Sequence, residues 1–373
     1  MARAACALSE RSGVNVVIFT RPHVVDAIKR ALLDEVPAAR VSVVGVSIPM
    51  WLVAMTRRRH VRIAYVVWQA RAVSLARRMF VDEDDVVAHH VTFATEALPT
   101  FEWRLPEKWR LVFGPTGSSQ MLNRQARIGG LVGVLRGAIR RWFGRLNLAK
   151  ADLVICQNSW VADEVSSFTN AEVLVEPNIG VDLGAGQISD VRAGDFSCKF
   201  ALVGGLNARK QPELAVMALS LLPQKYELCV VGSGVLEDKL RALADHLDVT
   251  DRLQFLGPLS HAEVMQILAV SGVLIHPSRQ EGAPWVVGEA QSVGAVPVAF
   301  RGSGADTIID LGASGVVVEC VRDNPWQNAS NLAAAIVDAS GQTRTTTQRW
   351  NTQRFVGLME HWYRLVPDDG ELD

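Results

Sequence analysis

The 373-residue sequence predicts an α/β protein with two doubly wound, Rossmann-like parallel-sheet domains. Short apolar runs of strand length alternate with stretches of helical periodicity along most of the chain. Runs that are apolar throughout are typical of parallel strands covered by helices on both faces. The alternation occurs in two series, separated by a segment rich in Gly and Asp, which indicates two domains of ordinary size.

The first series predicts an N-terminal domain at residues 1–182. Helical periodicity occurs at residues 23–34 and 61–80. Strands are expected at residues 14–19, 41–46, 86–91, 110–113 and 153–156.

The second series predicts a C-terminal domain at residues 198–345, after a linker at residues 183–197. A last helix is expected from about Thr346 to Leu365, within a terminal segment at residues 346–373. Strands are expected near residues 200, 228, 253, 273, 296 and 316.

Composition argues against several classes of protein. The five cysteines are scattered without metal-ligand spacing, which predicts reduced thiols in a cytoplasmic protein and no bound metal. No apolar run approaches the roughly 20 residues that a membrane span requires. The first residues also lack the apolar core of a signal peptide.

Charge is distributed unevenly, with basic residues in excess in the first half and acidic residues in the second. The stretch from Lys108 to Ala151 contains no acidic residue, and Trp142 and Phe143 stand among its basic side chains. A basic amphipathic segment of this kind predicts peripheral contact with an anionic membrane. The residues expected to make this contact are Arg124, Arg127, Arg136, Arg140, Arg141 and Arg145.

An alternative for this basic stretch is that its apolar side chains face the domain core while the arginines are solvated. The apolar side chains concerned are Leu131, Leu135, Ile139 and Trp142. Nucleic-acid binding is not expected, because the aromatic residues and folds that it uses are missing.

Two glutamates, Glu281 and Glu289, are the most informative pair in the chain. They follow the apolar run at residues 272–275, so Glu281 falls at a strand-to-helix turn and Glu289 about two helical turns later. Both can point into the crevice beyond the carboxyl end of the strand, where open α/β sheets bind ligands. Two carboxylates suit a ligand with two diols, such as a nucleotide sugar. The alternative is an ordinary surface helix with acidic residues near its start.

Three further blocks precede this pair, at residues 200–210, 229–234 and 252–257, and each joins a strand to a Gly turn. With them, the segment from Phe200 to Glu319 resembles the nucleotide-binding domain of retaining GT-B glycosyltransferases, in particular family 4. The resemblance implies a GT-B fold, with two domains facing a cleft and a C-terminal helix that crosses back onto the N-terminal domain.

The resemblance also implies site residues. Glu281 corresponds to the residue that contacts the donor sugar, and Glu289 to the one that contacts the ribose. Arg209 and Lys210 are expected to neutralise the diphosphate, helped by the amino end of the helix that follows. The other residues expected to bind the donor are Gly204, Gly205, Gly232, Gly234, Leu256, Gly282, Ala283, Pro284, Val286 and Val287.

A weaker resemblance in the N-terminal domain concerns His89 and His90, together with the Gly-rich stretch that contains Gly114 and Gly117. The family places one His near the sugar or phosphate. Adjacent strand residues point to opposite faces, so only one of the two can enter the cleft. His90 is favoured, because this alignment also matches Asp85 to the family's Asp. The alternative is a His whose hydrogen bonds are satisfied by backbone groups within the sheet.

Three features depart from the family pattern. Gly205 stands where the family usually has an Arg beside the diphosphate, Ala283-Pro284-Trp285 replaces small residues, and the N-terminal domain lacks the family's first strand and Gly-rich loop. A lost charged hydrogen bond costs roughly 1.5–3 kcal/mol. Two outcomes are open: Arg209 substitutes for the missing Arg, or the donor binds more weakly.

These observations predict a metal-independent retaining hexosyltransferase. Its donor would be a nucleotide-diphosphate sugar and its acceptor a lipid-linked molecule or a polysaccharide of the cell envelope, at the inner face of the membrane. The alternatives are a nucleotide-sugar epimerase and a non-catalytic nucleotide-sugar-binding protein.

Overall fold

The computed structural model describes residues 2–33, 40–52, 61–91, 94, 98–117, 131–167, 169–182, 200–279, 281–312 and 314–365. The chain divides into two compact units. The N-terminal unit comprises Met1–Asn178 and Thr352–Asp373, and the C-terminal unit comprises Ile179–Asn351.

The N-terminal unit contains two parallel sheets, one of two strands (β1-β2) and one of four in the order β3-β4-β5-β6. The strands are β1 (Val16–Thr20), β2 (Val41–Gly45), β3 (Val87–His90), β4 (Arg110–Thr116), β5 (Leu153–Cys156) and β6 (Glu172–Val175). The helices are α1 (Ala2–Ser12), α2 (Pro22–Leu33), α3 (Val61–Met79), α4 (Leu131–Asn147) and α5 (Ser159–Ser166), with a short 3-10 helix at Glu102–Arg104 and the C-terminal α12 (Thr352–Trp362).

The C-terminal unit is built on one parallel sheet of six strands in the order β12-β11-β10-β7-β8-β9. The strands are β7 (Phe200–Val203), β8 (Leu228–Val231), β9 (Leu253–Gly257), β10 (Val273–His276), β11 (Val296–Phe300) and β12 (Val316–Val318). The helices are α6 (Glu213–Leu221), α7 (Glu237–His246), α8 (His261–Ser271), α9 (Trp285–Ser292), α10 (Ala305–Leu311) and α11 (Pro325–Gly341).

Helices cover both faces of the six-stranded sheet. One core contains Phe200, Phe300 and the apolar sides of α6 and α11. The other contains Leu274, Val287 and Trp350 together with residues of α8 and α10. The two cores bury opposite faces of the same six strands. Side chains on both faces are therefore apolar, and the strand sequences are apolar throughout, as expected of a parallel sheet.

The C-terminal helix α12 packs on α1 within the N-terminal unit. Phe355, Met359 and Trp362 form a core with Leu8 of α1. Glu360 is buried beside them and pairs with Arg11, whose Nε lies 3.1 Å from Glu360 Oε2. The apolar side chains at helical spacing thus attach the end of the chain to its beginning.

The predicted α/β class with parallel sheets is confirmed, and each predicted strand is present within a few residues of its expected position. β6 was not predicted, because its four residues lie between polar residues and carry a charged first residue. The last helix begins at Thr352 rather than at Thr346.

The expected reduced state of the thiols is wrong for one cysteine. Cys229 in β8 is disulfide-bonded, whereas Cys6, Cys156 and Cys320 are not. The proposed linker at residues 183–197 lies outside the described residues. No helix in the described part of the chain is both long and apolar enough to cross a membrane.

Candidate functional site

The strand order of the C-terminal unit contains a switch point between β7 and β10. The chain proceeds from β7 to β8 and β9 on one side, then returns to place β10 on the other side of β7. Helices that follow β7 and β10 therefore leave on opposite faces, and a crevice opens at the carboxyl ends of these strands. Lys210 follows β7 and Glu281 follows β10.

Lys210 and Glu281 meet at this point. Lys210 Nζ lies 2.6 Å from Glu281 Oε1, and the two side chains are 18% and 11% exposed. Arg209 Nη1 lies 3.7 Å from the same oxygen, and its side chain is 54% exposed. The carboxylate thus holds two cations beside the crevice, with Lys210 as the closer and less exposed one.

Burial acts to raise the pKa of the Glu281 carboxyl, but interactions with His276, Lys210 and Arg209 together more than offset this effect. The pKa of Glu281 is therefore held below its usual value. His276 adds to this lowering only in its protonated form. Glu281 is a carboxylate, and so only a hydrogen-bond acceptor, at neutral pH.

The turn after β7 is fixed by local chemistry. Asn207 Oδ1 accepts hydrogen bonds from the backbone N–H groups of Arg209 (3.1 Å) and Lys210 (3.3 Å). Gly232 allows the neighbouring turn to approach, since a Cβ there would lie 2.2 Å from the carbonyl oxygen of Gly204. Such close backbone contact is possible only for glycine. Gly204, Gly232 and Gly234 therefore shape the two adjoining turns.

The loop after β10 is held by its neighbours. Glu281 N–H donates to the Ser303 carbonyl (2.9 Å), and Ser278 Oγ donates to the Arg209 carbonyl (3.2 Å). The second contact connects the loop that carries Glu281 to the turn that carries the cations. Gly282, Ala283 and Pro284 join Glu281 to α9.

His276, the last residue of β10, was not among the predicted site residues. It is 2% exposed, and its Nε2 lies 3.7 Å from Glu281 Oε1 without a hydrogen-bond partner. Burial, reinforced by Lys210, lowers the pKa of His276 to about 4. Its position at the end of a buried strand and before Pro277-Ser278 was the available signal in the sequence.

Replacing His276 by Asn is expected to make the protein less sensitive to acid. As pH falls from about 6.5 towards 4, the unfolded state binds a proton that the buried ring does not, so stability falls. Over this pH range the free energy of unfolding of the wild type should fall by about 3 kcal/mol more than that of His276→Asn. Thermal unfolding of wild type and His276→Asn between pH 7.5 and 4.5 measures it. Parallel pH curves for the two proteins would contradict the assignment.

Glu289 lies about one turn into α9, which begins at Trp285, rather than about two turns into a helix as expected. Its side chain is 13% exposed. Its Oε1 lies 3.1 Å from Nε2 of His261, the first residue of α8. Of the other residues predicted to bind the donor, Val287 is fully buried in the core, so only its backbone can face a ligand. Val286, Ala283 and Leu256 are partly buried against the same core.

In the N-terminal unit, both rings of the predicted His pair have partners inside the unit. His90 is buried, and its Nδ1 contacts Glu102 and Gln69 (3.0 Å) while its Nε2 contacts Tyr65 Oη at 2.8 Å. These partners are side chains of α3 and of the 3-10 helix, not the backbone of the sheet that the alternative expected. A ligand of His90 would have to displace one of these groups, and its catalytic role remains a prediction.

His89 points to the other face of the sheet, as the alternation along a strand requires. Its Nε2 contacts the Gly114 carbonyl at 2.9 Å, and its Nδ1 contacts the hydroxyl of Tyr363. Burial lowers the pKa of His89 to about 3, so the ring is neutral. Nε2–H then donates to Gly114, and Tyr363 donates to Nδ1. Gly114 lies within β4 and Gly117 follows it, whereas the residues after Gly117, up to residue 130, lie outside the described residues.

The predicted site does not coincide with the cavity of about 220 Å³ in the N-terminal unit. That cavity lies at the amino ends of β4 and β5 and is lined by Glu102, Trp109, Lys150 and Asp152 among others. It contains none of the predicted site residues. Within the described ranges, no three His, Cys, Asp or Glu side chains are grouped as metal ligands.

Residues 197–343 match the family described as glycosyl transferases group 1. The sequence is similar to D-inositol 3-phosphate glycosyltransferase of Mycolicibacterium smegmatis, with 28% identity over 190 residues that cover 48% of this chain and 44% of that protein. The chain thus matches about half the length of the curated relatives.

Solved structures resemble the chain over nearly its whole length. Sucrose-phosphate synthase from Thermosynechococcus elongatus has a TM-score of 0.61 and 17% identity, covering 97% of this chain and 91% of that one. HepE of Anabaena in complex with UDP has a TM-score of 0.56 and 15% identity, covering 98% and 95%. At identities of 17% and 15%, these similarities establish a shared fold and nothing more.

Proposed function

We propose that this chain, whose residues 197–343 match the glycosyl transferases group 1 family and whose fold is GT-B, is a retaining hexosyltransferase. The donor in this proposal is a nucleotide-diphosphate sugar. The acceptor is a lipid-linked molecule or a polysaccharide of the cell envelope. The reaction proceeds without a metal ion.

The observation that carries the proposal is the Lys210–Glu281 pair at the switch point. Both side chains are mostly buried, and their 2.6 Å contact keeps a cation and a carboxylate together beside the crevice. A nucleotide sugar presents a diphosphate next to sugar hydroxyls, so it matches this arrangement in charge and in hydrogen bonding. Glu289, at the next turn of α9, supplies a second acceptor for the ribose.

In the proposed reaction, the bond between the anomeric carbon and the diphosphate oxygen breaks, and its electron pair leaves with the diphosphate. A new bond forms from the acceptor hydroxyl oxygen to the anomeric carbon on the same face, and the hydroxyl proton passes to the departing phosphate. Lys210 and Arg209 stabilise the negative charge that develops on the diphosphate. Glu281 accepts hydrogen bonds from the sugar hydroxyls.

Nucleotide binding and slow donor hydrolysis test this function. UDP, GDP or ADP is expected to raise the thermal midpoint, and the matching nucleotide sugar is expected to release free nucleoside diphosphate slowly without acceptor. Glu281→Ala should abolish the release while largely preserving nucleoside diphosphate binding. Isomerised nucleotide sugar would indicate the epimerase instead. Saturable binding without release would indicate a binding protein, and no binding at all would refute the proposal.

We further propose that α4 contacts an anionic membrane. Leu135, Ile139 and Trp142 are spaced by four and three residues, which places them on one side of the helix, and they are 59%, 46% and 61% exposed. The alternative in which these three side chains face the core is therefore wrong. Arg141 and Arg145 beside them are also exposed. Exposed apolar and basic side chains on one helix suit the interface of a bilayer.

The other predicted membrane residues add less information. Arg124 and Arg127 lie outside the described residues, and the side chains of Arg136 and Arg140 are not described. The proposed position at the inner face of the membrane therefore rests on α4 and on the acceptor class.

Reversing two charges on α4 is expected to weaken vesicle binding. Each basic residue near an anionic surface contributes about 1 kcal/mol, so Arg141→Glu with Arg145→Glu should lower partitioning about thirtyfold. Co-sedimentation with phosphatidylglycerol-containing vesicles measures this. The matched control reverses two exposed charges of the C-terminal unit, Lys239→Glu with Arg322→Glu. Equal losses for both pairs, or no binding by the wild type, would exclude the contact.

A further inference from the structure

His261 occupies a defined place at the start of α8. Ser260 caps this helix: its Oγ accepts from the Glu263 N–H at 3.4 Å, and Glu263 Oε2 accepts from the Ser260 N–H at 2.8 Å. This reciprocal pair fixes the first turn without using the side chain at position 261. The imidazole is 58% exposed. Replacing it should therefore leave the fold intact.

The imidazole contacts one oxygen of Glu289. His261 Nε2 lies 3.1 Å from Glu289 Oε1, and a carboxylate can only accept, so Nε2 carries the proton. Glu289 makes no other hydrogen bond within the described part of the chain. One carboxylate oxygen is thus engaged, and Oε2 remains available to a ligand.

The position of His261 relates it to the nucleotide. It begins the helix after β9, whose Leu256 is among the residues predicted to bind the donor, and it reaches across to α9, which carries Glu289. The exposed fraction of Glu289, 13%, is far smaller than that of His261. His261 therefore lies on the outer side of this contact, and Glu289 on the inner side.

We propose that His261 is a positioning residue that orients Glu289 towards the ribose and sets a preference for ribonucleotides over 2′-deoxyribonucleotides. The inference rests on the proposed function, since it takes Glu289 to be the ribose-binding residue. With Oε1 held by His261, Oε2 faces the ribose diol in one fixed orientation. Without His261, the carboxylate rotates among several orientations, and the 2′-hydroxyl loses a preorganised acceptor.

Two competing roles for the imidazole lead to different binding results. If the ring is a stacking surface for the base, its aromatic character matters and its N–H does not. If the pair is only an exposed ionic contact, it has little value, since such pairs often contribute almost nothing. Two substitutions separate these roles from the positioning role. His261→Phe keeps a ring without a donor, and His261→Gln keeps an N–H donor without a ring.

The experiment measures dissociation constants by calorimetry for UDP, GDP and ADP, each paired with its 2′-deoxy counterpart. The wild type is expected to bind its preferred ribonucleotide about tenfold or more tightly than the 2′-deoxy form, as for one charged hydrogen bond. His261→Phe should weaken ribonucleotide binding about fivefold and leave 2′-deoxy binding nearly unchanged. His261→Gln should retain most of the wild-type preference.

A double-mutant cycle tests whether His261 acts through Glu289. In the Glu289→Gln background, His261→Phe is expected to add no further loss, because the oriented carboxylate is already gone. Additive losses would overturn the inference, as would equal losses for ribo- and 2′-deoxy forms or a wild-type-like His261→Phe. If the wild type binds no nucleoside diphosphate, the proposed function itself is refuted, and with it the inference that rests on it. Wild-type binding with an unaffected His261→Phe refutes only the inference about His261.

Discussion

Lys210→Ala is expected to reduce kcat/KM for hydrolysis of the nucleotide sugar by about a hundredfold or more. Removing one preorganised group that stabilises transition-state charge typically costs a factor of 10² to 10³. Lys210 is the less exposed of the two cations near Glu281 and lies closer to it, at 2.6 Å rather than the 3.7 Å of Arg209. Its ammonium group is therefore the better shielded from water, which strengthens its field in the crevice.

The substitution has a second consequence for Glu281. With Lys210 gone, a carboxylate that is 11% exposed keeps only the more distant Arg209 as a cation. Its pKa should then rise, because burial acts in that direction and one of the charges that oppose it has been removed. Activity of Lys210→Ala is therefore expected to decline at a higher pH than that of the wild type as the solution is acidified.

Steady-state kinetics and a pH profile check both consequences. Arg209→Ala serves as a graded comparison and should cost less, because the Arg209 side chain is 54% exposed. Lys239→Ala, an exposed lysine of α7, is the matched control and should behave as wild type. If Lys210→Ala stays within about threefold of Lys239→Ala, Lys210 does not stabilise the leaving group, since a loss that small is under 1 kcal/mol.

The C-terminal unit was largely predictable, because its strands are continuously apolar and end at glycine turns. The pairing of Lys210 with Glu281 also follows from the sequence once β7 and β10 are taken as neighbours. Residues after adjacent parallel strands meet at one edge of the sheet. The apolar pattern of the sequence and the strand order of the sheet therefore both place Lys210 beside Glu281.

The partners of single polar side chains were not predictable in the same way. The contact between His261 and Glu289 joins the first residue of α8 to the middle of α9, and no local pattern specifies it. His90 was placed in the site because the resemblance, which also matches Asp85, favoured it over His89. Its burial against Glu102 depends on a short 3-10 helix that apolar periodicity does not reveal. Tertiary packing, rather than local sequence, decides where such side chains point.

Gly304→Ala is expected to displace the Glu281 loop and cause a large loss of activity, with Gly302→Ala as its matched control. Both glycines precede α10 and have positive φ, 83° at Gly304 and 71° at Gly302. A Cβ at Gly302 would meet nothing within 4 Å, so alanine there adds only backbone strain. A Cβ at Gly304 would lie 2.3 Å from the Glu281 carbonyl oxygen and 2.7 Å from that of Gly282.

Comparing Gly304→Ala with Gly302→Ala separates the effect of the steric clash with the Glu281 loop from the effect of backbone strain at positive φ. Each alanine at positive φ costs about 1 kcal/mol or more, so both variants should have lower thermal midpoints. Only Gly304→Ala must also push the Glu281 backbone away from Ser303, whose carbonyl accepts its N–H at 2.9 Å. A shift of about 1 Å in a catalytic group can cost a hundredfold in rate. Donor hydrolysis measured below both midpoints should thus fall far more in Gly304→Ala than in Gly302→Ala. Equal rates in the two variants would mean that the position of Glu281 does not control the reaction.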